Sequence, residues 1–450
     1  MWLMYVSAAQ PETRGRINAL LQEDRRVHDW YRFVLSYPPH LVRQYCEKLG
    51  FDSRIRVLDP FCGTGTTLVE TKLTGIASAG CDAHPFAALV SRVKTNWRVD
   101  ADRLHARAKG ILAQAERDMT VNGLERLSFE AGLAQDKAAA LEGLTPDEQK
   151  LLPEGFLSER PLRRLLVLRR AIKRFSGDLS QAEREFLFLP LAHTIANGAG
   201  NFGFGPEIYR KKAIDDYDVL GHYAKQVWLM LSDLRHVQQE GLHNTRTDVV
   251  QDDARNLDQI RDGFGGVITS PPYPNEKDYT RTTRVESLVL GLISDKASLR
   301  RVKDALLRSN TRNIFVDDRD REEVADFESI QSVCKEIEDR RIELNKTSGF
   351  ERLYHKVVSH YFGGMRRHFR ALRTRLERGA RLAYVVGDQL SFLMVHVPTA
   401  SFLAEVAEAE GFEFLGCDLW RERVGTKIRN DVEGRRVVRV REEVLLLKNP

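Results

Sequence analysis

An α/β fold built on a doubly wound, mostly parallel sheet is what this 450-residue sequence predicts, and three observations carry it. First, a short apolar run (Ile55, Val57, Leu58) reaches Asp59 and then a Gly/Thr turn (Gly63, Thr64, Gly65). From Thr66 onward, Leu68, Val69 and Leu73 take up helical spacing, so this segment reads strand, glycine loop, helix. Second, Ile76–Cys81 is another short strand candidate, ending at Asp82 after the interval that a parallel pair with a crossover helix requires. Third, strand patterns return at Asp248–Asp253, Gly266–Ser270 and Leu382–Val386.

Composition narrows the function classes. With 42% hydrophobic and 30% charged residues there is ample material for a core, so wholesale disorder is excluded. A net charge of +5 tolerates a polyanionic partner without proving one. The five cysteines (Cys46, Cys62, Cys81, Cys334, Cys417) are scattered and show no CxxC spacing, which argues against a zinc site or a disulfide framework. No metal is expected. The opening MWLMYVSAAQPETRGR lacks the basic start of a signal peptide, and no run approaches the roughly 18 apolar residues of a membrane span. A soluble cytoplasmic protein without membrane association is the expectation.

Between the strand patterns, residues 101–245 are mostly helical in pattern. Within them Leu165, Leu168, Ile172 and Phe175 share one helical face, with Arg163, Arg170 and Arg174 opposite. A glycine-rich break at Asn197–Glu207 interrupts the helices. A charged helical stretch covers about 291–350. Met365, Phe369, Leu372 and Leu376 then repeat at helical spacing, with Gly379 as a fitting C-cap. A helix over Thr399–Glu410 and a β-rich end complete the pattern.

Two segments carry chemistry. In DPFCGTGTT (Asp59–Thr67), Gly63 and Gly65 let the backbone turn tightly and approach a ligand, and the following helix offers free N–H groups. The spacing is neither GxGxxG nor a P-loop. Asp82 at the end of the next strand is well placed for a ribose hydroxyl pair; a helix cap or surface acid is the plainer alternative. In VITSPPYPNEKDY (Val267–Tyr279), two prolines stiffen the chain just past a strand end, fixing the directions of the Ser270 hydroxyl and nearby carbonyls beside an aromatic face.

In this order and together, the two segments resemble the S-adenosylmethionine-dependent amino-methyltransferases of DNA. That family's motif I, DPFxGxGTT, stands as Asp59–Thr67, and its catalytic motif IV, (D/N/S)PPY, as Ser270–Tyr273. The serine form is similar to the N4-cytosine branch. Upstream, VHDWYRFVLSYPPHLV (Val27–Val42) is similar to motif X, which flanks the methionine end of the cofactor; an amphipathic N-terminal helix is the alternative. Val249–Leu257 is similar to motif III, and Tyr384–Asp388 to the later sheet motifs. The likeness covers about 1–95 and 246–450.

The resemblance implies a Rossmann-like methyltransferase sheet with a C-terminal β-hairpin and helical insertions. The catalytic core then comprises 1–100, 246–290 and 355–450, with insertions at 101–245, a candidate for target recognition, and 291–354. S-adenosyl-L-methionine is the implied cofactor, bound by Asp59, Phe61, Gly63, Gly65, Thr66, Asp82, Tyr31 and, on the adenine amino group, Asp253. Ser270, Pro271, Pro272 and Tyr273 are the implied catalytic set. An exocyclic amino nitrogen is a poor nucleophile because its lone pair is delocalised into the ring; acceptors on its N–H bonds (Ser270 Oγ, the Pro271 carbonyl) favour a pyramidal nitrogen, and Tyr273 stacks on the base. No covalent nucleophile is needed, so Cys62 is read as a packed loop residue.

The implied substrate is DNA with the target base flipped out of the stack. Lys277, Arg281 and Arg284, just past motif IV, are the candidate nucleic-acid contacts. The Arg163/Arg170/Arg174 face and the loop Asn201–Lys212 are weaker candidates, a solvated face and a structural loop explaining them as well. A restriction endonuclease or another defence-system protein is the implied partner; oligomeric state and recognition sequence are not legible. The alternatives are an RNA guanine-N2 methyltransferase, an adenine-N6 DNA enzyme, and a nucleic-acid-binding protein with a dead methyltransferase fold. Everything rests on the two turns closing onto one cavity.

Overall fold

The computed structural model describes residues 20–33, 35–124, 143–204, 208–275, 277–424 and 439–450. The opening segment read against a signal peptide, and Gly205–Glu207 of the glycine-rich break, lie outside the described residues. Helix α1 (Pro39–Leu49) leads to β1 (Arg56–Asp59), α2 (Thr66–Leu73), β2 (Ala77–Cys81) and α3 (Pro85–Thr95). A helical stretch follows: α4 (Ala101–Val121), α5 (Pro146–Leu151), α6 (Glu159–Arg174), α7 (Gln181–Thr194), the small hairpin β3 (Phe202–Phe204) and β4 (Ile208–Arg210), and α8 (Val219–Gln239). The chain then forms β5 (Thr247–Val250) and β6 (Phe264–Thr269), followed by α9 (Tyr279–Thr282), α10 (Arg284–Val289), α11 (Lys296–Ala305), α12 (Glu328–Glu343) and α13 (Tyr354–Arg373). Strand β7 (Leu376–Gly387), α14 (Thr399–Ala409), β8 (Glu413–Val424) and β9 (Arg439–Lys448) end it.

The sheet has seven strands in the order β5-β2-β1-β6-β7-β9-β8. The first five are parallel, and β9 runs antiparallel to both β7 and β8, giving the expected C-terminal hairpin. This is a Rossmann-like, mostly parallel sheet, as expected. Its two faces follow from the two-residue period of strands. Val57, Ile268, Ala383, Val385, Val444 and Leu446 point to one side, where Leu41, Val42 and Tyr45 of α1 cover them. Leu58, Val267, Leu382, Tyr384, Leu445 and Leu447 point to the other, against α12, α13 and α14. Parallel strands buried on both faces read as continuous apolar runs, as Val267–Ile268 and Leu382–Val386 do.

The helices α4, α6, α7 and α8 are amphipathic segments that share one core, containing Leu104, Ile111, Leu165, Leu168, Ile172, Phe186 and Leu234. Asp100 caps α4, and capping boxes at Thr145/Glu148 and Ser180/Glu183 start α5 and α7. That core also takes in Trp30 and Tyr31 of the N-terminal segment, Phe86 and Val90 of α3, and Val285 and Val289 of α10. The glycine-rich break begins as a π-helical turn, Ile195–Ala199, that continues α7 into β3.

Two sequence expectations are corrected here. Leu376 opens β7 rather than closing the preceding helix: α13 ends at Arg373, and Leu376 pairs with Phe264 of β6. Gly379, expected as a helix cap, lies inside β7 at φ 83°, where the ladder to β6 shifts register, so its left-handed backbone serves a β-bulge. The Arg163/Arg170/Arg174 face is partly neutralised in place: Arg163 pairs with Glu159 at 2.5 Å and Arg170 with Asp118 at 3.6 Å.

Candidate active site

Strand β1 lies between β2 and β6, and the chain leaves β2 towards one sheet edge and β6 towards the other. Ligands of open α/β sheets bind beyond the carboxyl ends of the strands where the order reverses in this way. The glycine turn follows β1 and the double-proline turn follows its neighbour β6, with Leu58 opposite Val267 in register. Both turns open onto one cavity of about 840 Å³, whose lining includes Phe61, Gly63, Thr66, Asp82, Ser270 and Tyr273.

In the donor half, Asp59 is fully buried at the end of β1 and accepts hydrogen bonds from Thr269 Oγ1 at 2.6 Å, Tyr37 Oη at 3.2 Å and the Phe61 N–H at 3.2 Å. Burial pushes its carboxyl up to about 6, against the pull of those donors. It therefore fixes the turn from below instead of lining the cavity. Gly63 and Gly65 have φ of 52° and 83°, and a Cβ on Gly65 would meet Ser91 Oγ at 3.0 Å, so both positions need glycine. Asp82 accepts the Gly63 N–H at 3.0 Å and the His84 N–H at 2.8 Å, which locks the two loops together; burial pushes its carboxyl up to about 6. Phe61 is held by His368, its ring 4.9 Å away. His368 in turn bonds the Ala254 carbonyl and Tyr384 Oη, each at 2.7 Å.

In the acceptor half, Ser270 Oγ donates to the Val385 carbonyl at 2.9 Å. That bond consumes the hydroxyl hydrogen, so the oxygen faces its surroundings as an acceptor only. Pro271 and Pro272 line the cavity beside it. The Tyr273 ring lies against Gly387 at the end of β7, where a Cβ would come within 3.2 Å of the tyrosine and 3.4 Å of Glu442. Further out, Asp388, Met394, Trp420, and the ion pair of Arg421 with Glu442 (2.7 Å) extend the wall.

The expected residues separate into three groups. Phe61, Gly63, Thr66, Asp82, Asp253, Lys277 and Ser270–Tyr273 line the cavity. Asp59 and Gly65 stand directly behind its wall as supports of the turn. Asp253 reaches the cavity with its carboxylate already gripped by Arg255, at 2.7 Å to Nη2. Tyr31 is a correction. It does not line the cavity: it is 2% exposed, donates to Glu286 Oε1 at 2.9 Å and packs edge-on to Phe86. Arg32, Phe33, Leu35, Ser36, Tyr37, Pro38 and Leu41 of the same segment do line the cavity. Arg281 and Arg284 do not line it either; Arg284 turns back to the Thr280 carbonyl at 3.0 Å, one helical turn away. Sequence reasoning also missed Thr269, His84 and Thr283. Thr269 alone had a local signal, as a polar residue ending an otherwise apolar strand.

The cavity suits the implied cofactor. Its volume falls in the usual range of small-molecule sites, roughly 300–1,000 Å³, and at Gly63, which lines the cavity, a Cβ would meet nothing within 4 Å, so the turn leaves open room there. Asp82 keeps lone pairs for a diol beyond the two backbone bonds it accepts. Among the described residues no cluster of His, Cys, Asp and Glu is arranged to hold a metal ion, all five cysteines are free, and no helix is long and apolar enough to cross a membrane. Cys62 is buried, and burial followed by the Asp82 and Asp59 charges drives its thiol far up, away from nucleophilic use.

Comparison with known proteins bears on the same site. Type II methyltransferase M.BsoBI from Geobacillus stearothermophilus is 22% identical over 460 aligned positions, covering 94% of this chain and 86% of that protein. The chain is similar to type II methyltransferases. Type II methyltransferase M.AvaI from Nostoc sp. is 23% identical, covering 89% of this chain and 82% of its own. Type II methyltransferase M.MvaI from Kocuria varians is 24% identical, over 65% and 64%. No protein-family model matches the chain. The solved structure of TrmN from Thermus thermophilus covers 94% of this chain and 52% of its own at 12% identity and a TM-score of 0.28, too low to carry an argument. The type II methyltransferase similarity spans both turns because it extends along nearly the whole chain.

Proposed function

We propose that this chain is a DNA methyltransferase that uses S-adenosyl-L-methionine to methylate the exocyclic N4 of cytosine. The observation that carries the reading is the shared cavity, with a glycine turn and Asp82 on one side and an acceptor-only Ser270 on the other. When bound, S-adenosylmethionine supplies an electrophilic methyl group on a sulfonium that departs as a neutral thioether. Phe61, Gly63, Thr66 and Asp82 would hold it, with Asp82 on the ribose diol. Ser270 Oγ and the Pro271 carbonyl accept the two N–H bonds of the target amino group, and Tyr273, braced on Gly387, stacks on the ring. This directs the nitrogen lone pair towards the donor half; the nitrogen then sheds one proton to water at the cavity mouth. The residues contribute position and fixed dipoles, and no covalent intermediate with the chain is required.

A base inside a duplex cannot reach such a cavity, so the target is flipped, at a few kcal/mol of unstacking. Lys277, on the cavity wall, is the proposed phosphate contact nearest the base. The similarity to type II methyltransferases supports DNA as substrate; a restriction endonuclease is the functional partner proposed with it. The test is incubation with methyl-labelled cofactor and either unmethylated DNA or tRNA, then digestion and identification of the nucleoside by mass. N4-methylcytosine is expected. N6-methyladenine would move the product within DNA, N2-methylguanosine would move the substrate to RNA, and absence of both label and cofactor binding would leave a binding protein.

A further inference from the structure

His84 sits two residues beyond Asp82, at the N-cap of α3, and both its ring nitrogens are committed. Nδ1 accepts the Phe86 N–H at 3.2 Å, so it carries a lone pair. Nε2 therefore bears the proton and donates to Thr283 Oγ1 at 3.1 Å, 199 residues further along the chain. The Thr283 hydroxyl hydrogen is left to point at the Tyr279 carbonyl, at 3.1 Å. Only this one set of proton positions satisfies all three bonds. His84 is 6% exposed, Thr283 is 6% exposed, and both line the cavity.

The connection has a direction. Gly63 bonds to Asp82, Asp82 to the His84 amide, the His84 ring to Thr283, and Thr283 to the segment that continues from the double-proline turn. That segment is itself anchored: Asp278 caps α9 and pairs with Lys303 at 2.9 Å, while 4% of its side chain is exposed. The donor loop and the chain leaving the acceptor turn are thus joined by a side-chain hydrogen bond across the cavity wall. A helix cap needs only the Nδ1 bond; Asn or Ser would supply that from a shorter side chain. The Nε2 bond to Thr283 is what histidine adds.

We propose that the His84–Thr283 pair is a positioning clasp that sets the distance between the donor half and the acceptor half, so that filling the first orders the second. This rests on the cofactor reading given above. His84→Asn separates the two roles, since Asn can still cap α3 but cannot reach Thr283; Thr283→Val removes the clasp from the other side without changing shape, and Thr283→Ser keeps it.

The experiment pairs binding with hydrogen exchange. With S-adenosylhomocysteine as the probe, the amides of 279–290 in the wild-type protein should gain at least about tenfold protection. In His84→Asn and Thr283→Val that gain should vanish while the dissociation constant for the probe changes less than about threefold, and Thr283→Ser should restore it. On unmethylated DNA, kcat should fall at least about tenfold in both variants, and the double variant should be no worse than the poorer single one. Wild-type kcat in His84→Asn, additive losses in the double variant, or probe affinity falling in step with kcat would each overturn the clasp. If wild-type protein fails to bind S-adenosylhomocysteine, the cofactor reading falls; if it binds and 279–290 does not respond, the clasp alone falls.

Discussion

Replacing Asp82 by Asn changes one atom and isolates the charge on which the donor half depends. In the folded chain its carboxylate accepts two backbone bonds, from Gly63 at 3.0 Å and His84 at 2.8 Å, and its remaining lone pairs face the cavity. Asn matches its volume but turns an NH2 group towards either one of those N–H donors or the diol. A hydrogen bond to a charged group contributes about 1.5–3 kcal/mol. At about 1.4 kcal/mol per decade, that predicts cofactor binding weaker by roughly 10- to 150-fold. The pH dependence gives a second, sharper reading. Burial raises the Asp82 carboxyl to about 6, so the ionised form that accepts diol hydrogens is complete only above that value. Affinity should therefore rise as pH increases through about 6 and fall about tenfold per unit below it, and the Asn variant should show no such slope. Asp59 is also raised to about 6 but lies behind the cavity wall, so a slope persisting in Asp82→Asn would transfer the effect to it. Isothermal titration with S-adenosylhomocysteine between pH 5 and 8 measures both. An unchanged dissociation constant at pH 7.5 in Asp82→Asn would refute the ribose role outright.

Other substitutions test neighbouring claims. Ser270→Ala should leave cofactor affinity within about twofold and lower kcat by roughly 10²–10³, the scale of removing one positioned polar group from a reacting centre; unchanged turnover would remove Ser270 from the mechanism. Thr269→Val takes the 2.6 Å donor from fully buried Asp59 and should cost about 1–3 kcal/mol, read as a lower urea midpoint; an unshifted midpoint counts against that anchor. Gly65→Ala places a Cβ at φ 83° and 3.0 Å from Ser91 Oγ, so stability should drop by at least about 1–2 kcal/mol, with cofactor binding weakened in parallel. Cys62→Ala should retain methyl transfer, because its buried thiol is held protonated; complete loss with intact folding would reopen covalent chemistry.

What was legible in the sequence was whatever repeats locally. The strand–turn–helix at 54–73, the strands at 266–270 and 382–386 and the acid at Asp82 each announce themselves by spacing, and the sheet uses them all. Tyr31 was misassigned because its segment is a short 3-10 turn followed by extended chain, with no period to say which aromatic turns inward; Tyr37, six residues on, reaches Asp59. Leu376 continued a helical spacing by coincidence, and the pull of β6 on the next strand decided against it. Arg284 reads as a free basic residue but sits on a helix whose preceding turn offers it the Thr280 carbonyl. His84 and Thr283 were invisible because their bond spans 199 residues, a distance over which one sequence holds no signal.

The helical stretch between β2 and β5 bears on how target recognition can be tested. Its core is continuous with Trp30 of the N-terminal segment, with Phe86 and Val90 of the helix capped by His84, and with Val285 and Val289 just past Thr283. Trp30 donates to Asp233 of α8 at 2.9 Å, and Gln226 of α8 bonds the Asp29 and Trp30 carbonyls at 3.1 and 3.2 Å. Both ends of the proposed clasp are therefore packed against the same helices. Close-packed side chains transmit displacement because few voids exist to absorb it. Deleting 101–245 would expose Phe86, Val90 and Val285 to water and disturb His84 and Thr283 together, so loss of methylation in such a truncation says nothing about DNA contact. Charge substitutions confined to the exposed side of α6, such as Lys173 and Arg174, leave that core intact. A phosphate contact there would lower the salt dependence of DNA binding by about one counterion each, with the catalytic step unchanged.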